Sequence, residues 1–255
     1  MDLGLKDKRV LITGGTRGIG KQTALLFADE GARVAITYNK SADEADKLVA
    51  ELGGPDSAMA VQYELRDPAS IDAATEQVAN AFGGVDILVA NALWFTWGDP
   101  GEAKLFEDRE HELWTSRFRA NTEGHMHTVH RVLKGMKANN WGRIVLLSSI
   151  TAHYGMQGSE IYSSSKTALH GFAKGLMWTG NGVLANVVAP GATRTEFFES
   201  LLEDESTKEL VDKELERTPS GRLSNPQDIA RLILFLCSEA NGNVNGELIH
   251  TAGGR

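Results

Sequence analysis

Short apolar runs alternate with amphipathic stretches along the whole chain. Val10-Leu11-Ile12 is the first, and similar runs recur within Arg33–Thr37, Ala58–Tyr63, Val85–Ala90, Arg143–Leu147, Leu184–Ala189 and Glu247–Thr251. Each is a few residues long with apolar side chains at successive positions, the pattern of strands covered on both faces. Between them the period changes. Ala24, Leu25, Phe27 and Ala28 line one side of a helix after the first run, and Leu169, Phe172 and Leu176 do so after the fifth. Further helices are expected from Ala42 to Leu52, where Gly53-Gly54-Pro55 stops the helix, from Pro68 to Phe82, from Asp108 to Ala138, and from Asn225 onward. Glu196 to Arg217 reads as an acidic, amphipathic flap. Strand and helix alternate throughout, which predicts one α/β domain over residues 1–255 built on a doubly wound, Rossmann-type parallel sheet.

Composition narrows the class without naming it. The 255 residues are 42% apolar and 24% charged, ordinary for a globular domain with a full core. The net charge of −8 argues against nucleic acid as a partner, since phosphate binding needs a basic surface. Cys237 is the single cysteine, so no internal disulfide forms and a secretory framework is not expected. Met1-Asp2-Leu3-Gly4-Leu5-Lys6 has no long apolar core, and no run approaches a membrane span of roughly 20 residues. The expectation is a cytoplasmic protein with no membrane partner.

Candidate chemistry begins where the first run ends. Thr13-Gly14-Gly15-Thr16-Arg17-Gly18-Ile19-Gly20 joins that strand to its helix. Strand, glycine turn and helix in this order make a dinucleotide cradle. Gly14 permits the turn, Gly18 lets the backbone approach a pyrophosphate, and Gly20 lets helix pack on strand. Thr16, Arg17 and Ile19 complete a loop whose phosphates sit at the positive end of the helix. The second strand ends in Tyr38-Asn39-Lys40-Ser41, where NAD-binding folds place an acid for the ribose hydroxyls. No acid stands there. Lys40, between Asn39 and Ser41, and Arg17 are placed to meet a 2′-phosphate, so NADP(H) is the expected cofactor.

Tyr162 and Lys166 lie four apart, one turn from each other on a helix face. A phenol titrates near pH ~10, and a nearby ammonium lowers that value by stabilising the phenolate. Bringing it to about 7 takes roughly 4 kcal/mol, within reach of one lysine and a cationic nicotinamide together. Ser149 stands upstream where a strand ends, and its hydroxyl can bond the substrate oxygen that Tyr162 protonates. A tyrosine and a lysine at this spacing are by themselves an ordinary amphipathic pair; the serine and the glycine loop supply the chemistry. Together they resemble the short-chain dehydrogenase/reductase family over nearly the whole chain, and the spacing GxxxGxG is that family's form.

The resemblance carries further expectations. It implies a seven-stranded parallel sheet of order 3-2-1-4-5-6-7. Ser149, 13 residues before Tyr162, would be the catalytic serine in preference to Ser148. Asn121, in Asn121-Thr122-Glu123-Gly124, matches the family's fourth catalytic residue, which holds a water in a proton relay. Glu64, followed by Leu65, stands where a family aspartate touches adenine. Asn91-Ala92 matches the start of the family's Asn-Ala-Gly, with Leu93 in place of the glycine. Pro190-Gly191-Ala192-Thr193-Arg194-Thr195 matches the segment whose backbone and final threonine, Thr195, hold the nicotinamide end. The implied activity is NADPH-dependent reduction of a ketone to a secondary alcohol, as in 3-oxoacyl-carrier-protein reductases and related ketoreductases. The substrate would be a small carbonyl compound, free or carried on an acyl carrier protein. Two other readings stay open: an NAD(P)-dependent dehydrogenase of a sugar, steroid or cyclic alcohol, and a nucleotide-binding sensor or scaffold without turnover. The family implies a homodimer or homotetramer, although the helix after Lys166 stops early, at Thr179-Gly180-Asn181-Gly182.

Two further features are chain-specific. From Asn91 to Asn121 the chain runs longer than the family pattern, and the extra stretch, Trp94 to Phe106, is rich in aromatics. Trp94, Phe95 and Trp97, with Tyr154 downstream, are expected to line an apolar substrate pocket. His125, His127 and His130 follow Asn121; residues two apart fall on different helix faces and cannot share a metal, so no metal is expected and surface or subunit contacts are.

Overall fold

In the computed structural model, which describes residues 2–95, 104–201 and 205–255, the apolar runs become one sheet. Its strands are β1 (Arg9–Ile12), β2 (Arg33–Tyr38), β3 (Ala58–Gln62), β4 (Ile87–Ala90), β5 (Gly142–Leu147), β6 (Val183–Pro190) and β7 (Leu248–Thr251). They lie in the order β3-β2-β1-β4-β5-β6-β7, every neighbouring pair parallel. Alternation along β1 shows why the runs are apolar throughout. Leu11 joins a core with Ile71 and Val78 of α3 (Pro68–Phe82), Val129 of α5 (His125–Ala138) and Leu169 of α7 (Glu160–Leu176). Its neighbours Val10 and Ile12 join a separate core with Phe27 of α1 (Gly18–Asp29), Leu48 of α2 (Ala42–Glu51) and Ile233 of α10 (Pro226–Cys237). Helices thus cover both faces, and the sheet is doubly wound.

Local signals set the helix ends. Asp67 caps α3 by accepting from the Ala69 N–H at 2.9 Å, Pro68 opens the helix, and Gly83 closes it at φ 80°. Asn225 and Asp228 form a capping box at α10. Among the described residues no helix is long and apolar enough to cross a membrane.

The chain departs from its sequence pattern in two places. The single helix expected from Asp108 to Ala138 is broken. A short 3₁₀ turn at Phe106–Asp108 leads to α4 (His111–Arg119), and a π-helical turn at Ala120–Gly124 precedes α5. The flap from Glu196 to Arg217 is two helices, α8 (Glu196–Leu201) and α9 (Glu205–Glu216). Helix α7 ends at Leu176, and Trp178 just beyond it is 82% exposed.

Candidate active site

The C-terminal ends of β1, β4, β5 and β6 bring the singled-out residues to one edge of the sheet. The glycine loop after β1 is shaped as a cradle. Gly18 sits at φ 55° as the first residue of α1, and a Cβ on Gly20 would collide with the Gly14 carbonyl. Thr37 Oγ1 takes the Gly14 N–H at 3.0 Å, and Asn91 donates to the carbonyls of Thr13 and Gly14 at 3.0 and 2.9 Å. Asn91 therefore shapes the cradle with its side chain rather than offering that side chain to a ligand. The cradle already holds an anion: Glu196, from α8, accepts from the Gly18 N–H at 3.1 Å. Backbone donors at a helix start that take a carboxylate fit the pyrophosphate of a dinucleotide.

Around that cradle, Arg17 and Lys40 are both exposed, with Ser41 at the N-cap of α2. Asn39 donates to Glu64 at 2.9 Å, and Arg66 binds the same carboxylate at 3.0 Å, which holds Glu64 below the usual carboxylate range. Leu65 is buried and its carbonyl presses on Gly124, where a Cβ would collide. At the other end Pro190 finishes β6, Thr193 donates to the Gly191 carbonyl at 2.8 Å, and Thr195 lies against Gly18.

Ser149 follows β5 and Tyr162 sits one turn into α7. Ser149 Oγ accepts from both the N–H and the hydroxyl of Thr151, at 3.2 and 3.0 Å. Its own proton is left to donate, and Ser149 acts on Tyr162 in the sense that favours the phenolate. Thr151 had no signal in the sequence; only the turn into α6 (Thr151–Tyr154) creates its role. The acidity of Tyr162 corrects the expectation. Burial pushes the phenol up, and Ser149 offsets only part of that. Lys166 does not counter it, because its ammonium donates to the Leu147 carbonyl at 2.7 Å and lies 6.0 Å from the Tyr162 ring centre. Burial in turn lowers Lys166 to about 8.

Asn121 occupies the π-helical turn, fully buried. Its amide donates to the carbonyls of Trp94 and Arg117 at 2.8 and 3.1 Å, and its oxygen accepts from the Trp94 N–H at 3.0 Å. These bonds tie the segment after β4 to the widened turn, the sort of π-bulge that marks functional positions. They also sort the aromatics. Phe95 meets Tyr162 edge-on, ring centres 6.2 Å apart, and lies under the Arg117 guanidinium at 4.2 Å. Trp94 is partly buried against the core beneath Arg66, its ring centre 4.9 Å from that guanidinium. Tyr154 is exposed, stacked edge-on against His153 and below Arg255. Trp97 lies outside the described residues. The histidines correct a further expectation: His127 pairs with Asp72 at 2.7 Å, but His125 is fully buried rather than at a surface. Among the described residues no cluster fits a metal ion.

Ser149 at the end of β5, Tyr162 and Lys166 on α7 and Asn121 in the π-helical turn are the residues in which the resemblance to a nicotinamide-dependent reductase family resides. Residues 14–255 match the family model described as enoyl-(acyl carrier protein) reductase, and the chain belongs to the short-chain dehydrogenase/reductase family. It is 35% identical to the 3-oxoacyl-[acyl-carrier-protein] reductase FabG of Aquifex aeolicus, covering 100% of this chain and 99% of the relative. It is 32% identical to the acetoacetyl-CoA reductase of Shinella zoogloeoides, over 96% of this chain and 97% of that one. A crystal structure of a candidate short-chain alcohol dehydrogenase from Sinorhizobium meliloti 1021 superposes with a TM-score of 0.88 at 30% identity, covering 100% and 98% of the two chains. The chain is thus an oxidoreductase of this family.

Proposed function

We propose that the protein uses NADPH to reduce a 3-oxoacyl thioester, or a closely related ketone, to the secondary alcohol. The observation that carries this reading is Ser149 at the end of β5, whose Oγ accepts two hydrogen bonds from Thr151 and so keeps its own proton free for a carbonyl oxygen gaining negative charge. When bound, the reduced nicotinamide supplies the hydride that reaches the carbonyl carbon. Gly14 to Gly20 hold the pyrophosphate, and Arg17 and Lys40 favour a 2′-phosphate. Ser149, fixed by Thr151, donates to the substrate oxygen. Tyr162 gives its proton to that oxygen, a step worth about 10²- to 10⁴-fold as general acid catalysis. Lys166 holds the ribose hydroxyls, and its charge favours the phenolate left on Tyr162. Asn121 fixes the turn from which a relay water would be held.

The likeness to 3-oxoacyl and acetoacetyl-CoA reductases supports a thioester, on coenzyme A or an acyl carrier protein. The cytoplasmic location and the homo-oligomer expected above belong to the same proposal. The matched family model's description favours a second reading, reduction of an enoyl thioester. A screen of NADPH consumption over 3-oxoacyl thioesters, 2-enoyl thioesters, cyclic ketones and quinones separates them. Turnover confined to 3-oxoacyl thioesters is expected. Turnover of enoyl thioesters alone overturns the carbonyl reading, and cofactor binding without any turnover marks a sensor or scaffold.

A further inference from the structure

Arg109 is a buried cation that the reaction as described leaves unused. It follows the 3₁₀ turn at Phe106–Asp108, and its side chain is 2% exposed. Burying a guanidinium is costly unless its donors are taken. Each of its three nitrogens donates. Nε gives to the Lys104 carbonyl at 3.0 Å, and the terminal nitrogens give to the Gly158 carbonyl at 2.9 Å and the Glu160 carboxylate at 3.2 Å. Lys104 lies in the extra stretch between β4 and α4. Gly158 and Glu160 lie 49 and 51 residues beyond Arg109, at the turn that opens α7.

The turn before α7 has positive φ at both Gly155 and Gly158, 73° and 78°, where glycine's freedom gives the backbone little rigidity of its own. Locally it is closed by Ser159, which donates to the Met156 carbonyl, and by the Gly158 N–H, which donates to Glu160. Arg109 fixes that closed turn to the extra stretch through its planar fork of donors. Tyr162 stands on α7 just past Glu160. The extra stretch meets the same helix start near its other end, where Phe95 lies edge-on to the Tyr162 ring with centres 6.2 Å apart. Apolar side chains stand exposed beside both anchors. Leu105, next to Lys104, is 59% exposed, and Met156, in the turn that Gly158 closes, is 62% exposed; Phe106 and Tyr154 are exposed as well. Exposed apolar side chains drawn together beside a candidate site suit an apolar ligand.

We propose that Arg109 is a positioning residue for substrate choice: it clasps the extra stretch to the turn before Tyr162, so that the exposed apolar side chains of both segments meet the acyl chain of the substrate. The choice of side chain follows from geometry. An apolar residue would fill the space and hold neither carbonyl. Lysine would bring a charge without the fork. Carbonyl binding carries more of the clasp than charge does, because the Glu160 side chain is 45% exposed and a pair open to water adds little. The inference rests on the reading of a 3-oxoacyl thioester as substrate.

The test compares full-length Arg109→Met, which removes every donor, with Arg109→Lys, which keeps the charge and loses the fork. For each, kcat and KM are measured with NADPH over 3-oxoacyl-CoA thioesters from acetoacetyl-CoA to 3-oxodecanoyl-CoA, with melting temperature and NADPH affinity alongside. Arg109→Met should raise KM for 3-oxodecanoyl-CoA about tenfold, roughly the worth of two buried methylenes. The short acetoacetyl-CoA, which presents little chain to those side chains, should lose far less, and NADPH affinity should not move. Arg109→Lys should recover little. Full recovery by Arg109→Lys would assign the effect to charge and overturn the clasp. An arginine that only holds the fold lowers the melting temperature and changes every chain length alike, and that result also overturns the proposal. Should Arg109→Met fail to fold, Leu105→Ser and Met156→Ser decide, since each should raise KM for the long chain alone; unmoved values overturn the proposal. Absence of turnover in the unmodified protein would fail the reductase reading. Calorimetry with unreactive decanoyl-CoA and acetyl-CoA then tests Arg109: decanoyl-CoA should bind tighter, and Arg109→Lys should lose that difference. Equal binding of the two by the unmodified protein overturns the clasp.

Discussion

The ammonium of Lys166 donates to the carbonyl of Leu147 at 2.7 Å. Helical spacing alone puts Lys166 beside Tyr162, but packing assigns its proton to the end of β5. Burial, offset only in part by Ser149, keeps the phenol above its ordinary range. Acidity at Tyr162 must then rise when Lys166 and the nicotinamide charge act together. Tyr162→Phe should lose about 10²- to 10⁴-fold in kcat and keep nearly all cofactor affinity, since the ring still packs against Phe95. Lys166→Ala should lose both. Steady-state rates and cofactor titrations measure each; a Tyr162→Phe enzyme with above about a tenth of normal turnover is not missing its general acid.

Burial of Lys166 also has a stability signature. Its folded value of about 8 lies below the ordinary lysine value of 10.5. Between those values the folded state has released a proton that the unfolded state keeps, so this group makes stability rise with pH across that window. Below it the buried charge destabilises by roughly 3 kcal/mol, less about 1 kcal/mol for the Leu147 hydrogen bond. Lys166→Met should therefore be inactive yet more stable at neutral pH, by about 2 kcal/mol, and the gain should shrink toward pH 10.5. Denaturant melts at several pH values measure this. A variant less stable than the unmodified protein at pH ~7 contradicts the assignment of burial as the dominant effect.

The fold was legible because its signals are local. Val10, Leu11 and Ile12 announce a strand buried on both faces, and Asp67-Pro68 and Asn225-Pro226 announce helix starts. Gly14, Gly18 and Gly20 announce a cradle because only glycine fits there. The placement of the candidate residues was legible through spacing, since Tyr162 and Lys166 share a helix and Ser149 ends a strand. What spacing cannot carry is contact between distant segments. The π-helical turn at Asn121 exists because its amide binds Trp94, 27 residues away. Trp94 and Phe95 part company for the same reason. His125 follows a polar, helix-like stretch, and nothing in that pattern reveals that its ring is fully buried.

Cofactor preference depends on exposed charge, which packing does not hide. Arg17 caps α1 and Lys40 follows β2, and Asn39 beside it is committed to Glu64. A charge-assisted contact to phosphate is worth roughly 1.5–3 kcal/mol, or about 10- to 150-fold in affinity. NADPH should be preferred over NADH by that order, and Arg17→Ala with Lys40→Ala should erase most of it while leaving NADH binding nearly unchanged. Glu64→Ala should weaken both cofactors alike, because it frees Asn39 and Arg66 together. Equal kcat/KM for NADPH and NADH in the unmodified protein would remove the phosphate role from Arg17 and Lys40.

Phe95 and Trp94 are adjacent in sequence but should answer opposite measurements. Phe95 meets the Tyr162 ring edge-on and lies under Arg117. Trp94 packs on the core and under Arg66, away from that edge. Phe95→Ala opens space beside the phenol. It should raise KM for bulky ketones several-fold, lower kcat as Tyr162 loses an edge contact worth about 0.5–1.5 kcal/mol, and leave NADPH affinity alone. Trp94→Ala removes a large partly buried ring and should destabilise by about 2 kcal/mol, below the 3–5 of a fully buried tryptophan. Its kinetics in the folded fraction should stay close to normal, provided its backbone bonds to Asn121 survive. Asn121→Ala removes those bonds and should combine both effects, a lower melting temperature and a lower kcat. Melting curves and steady-state kinetics on the three variants decide the matter. A Trp94→Ala protein of normal stability with a raised KM would return Trp94 to the pocket.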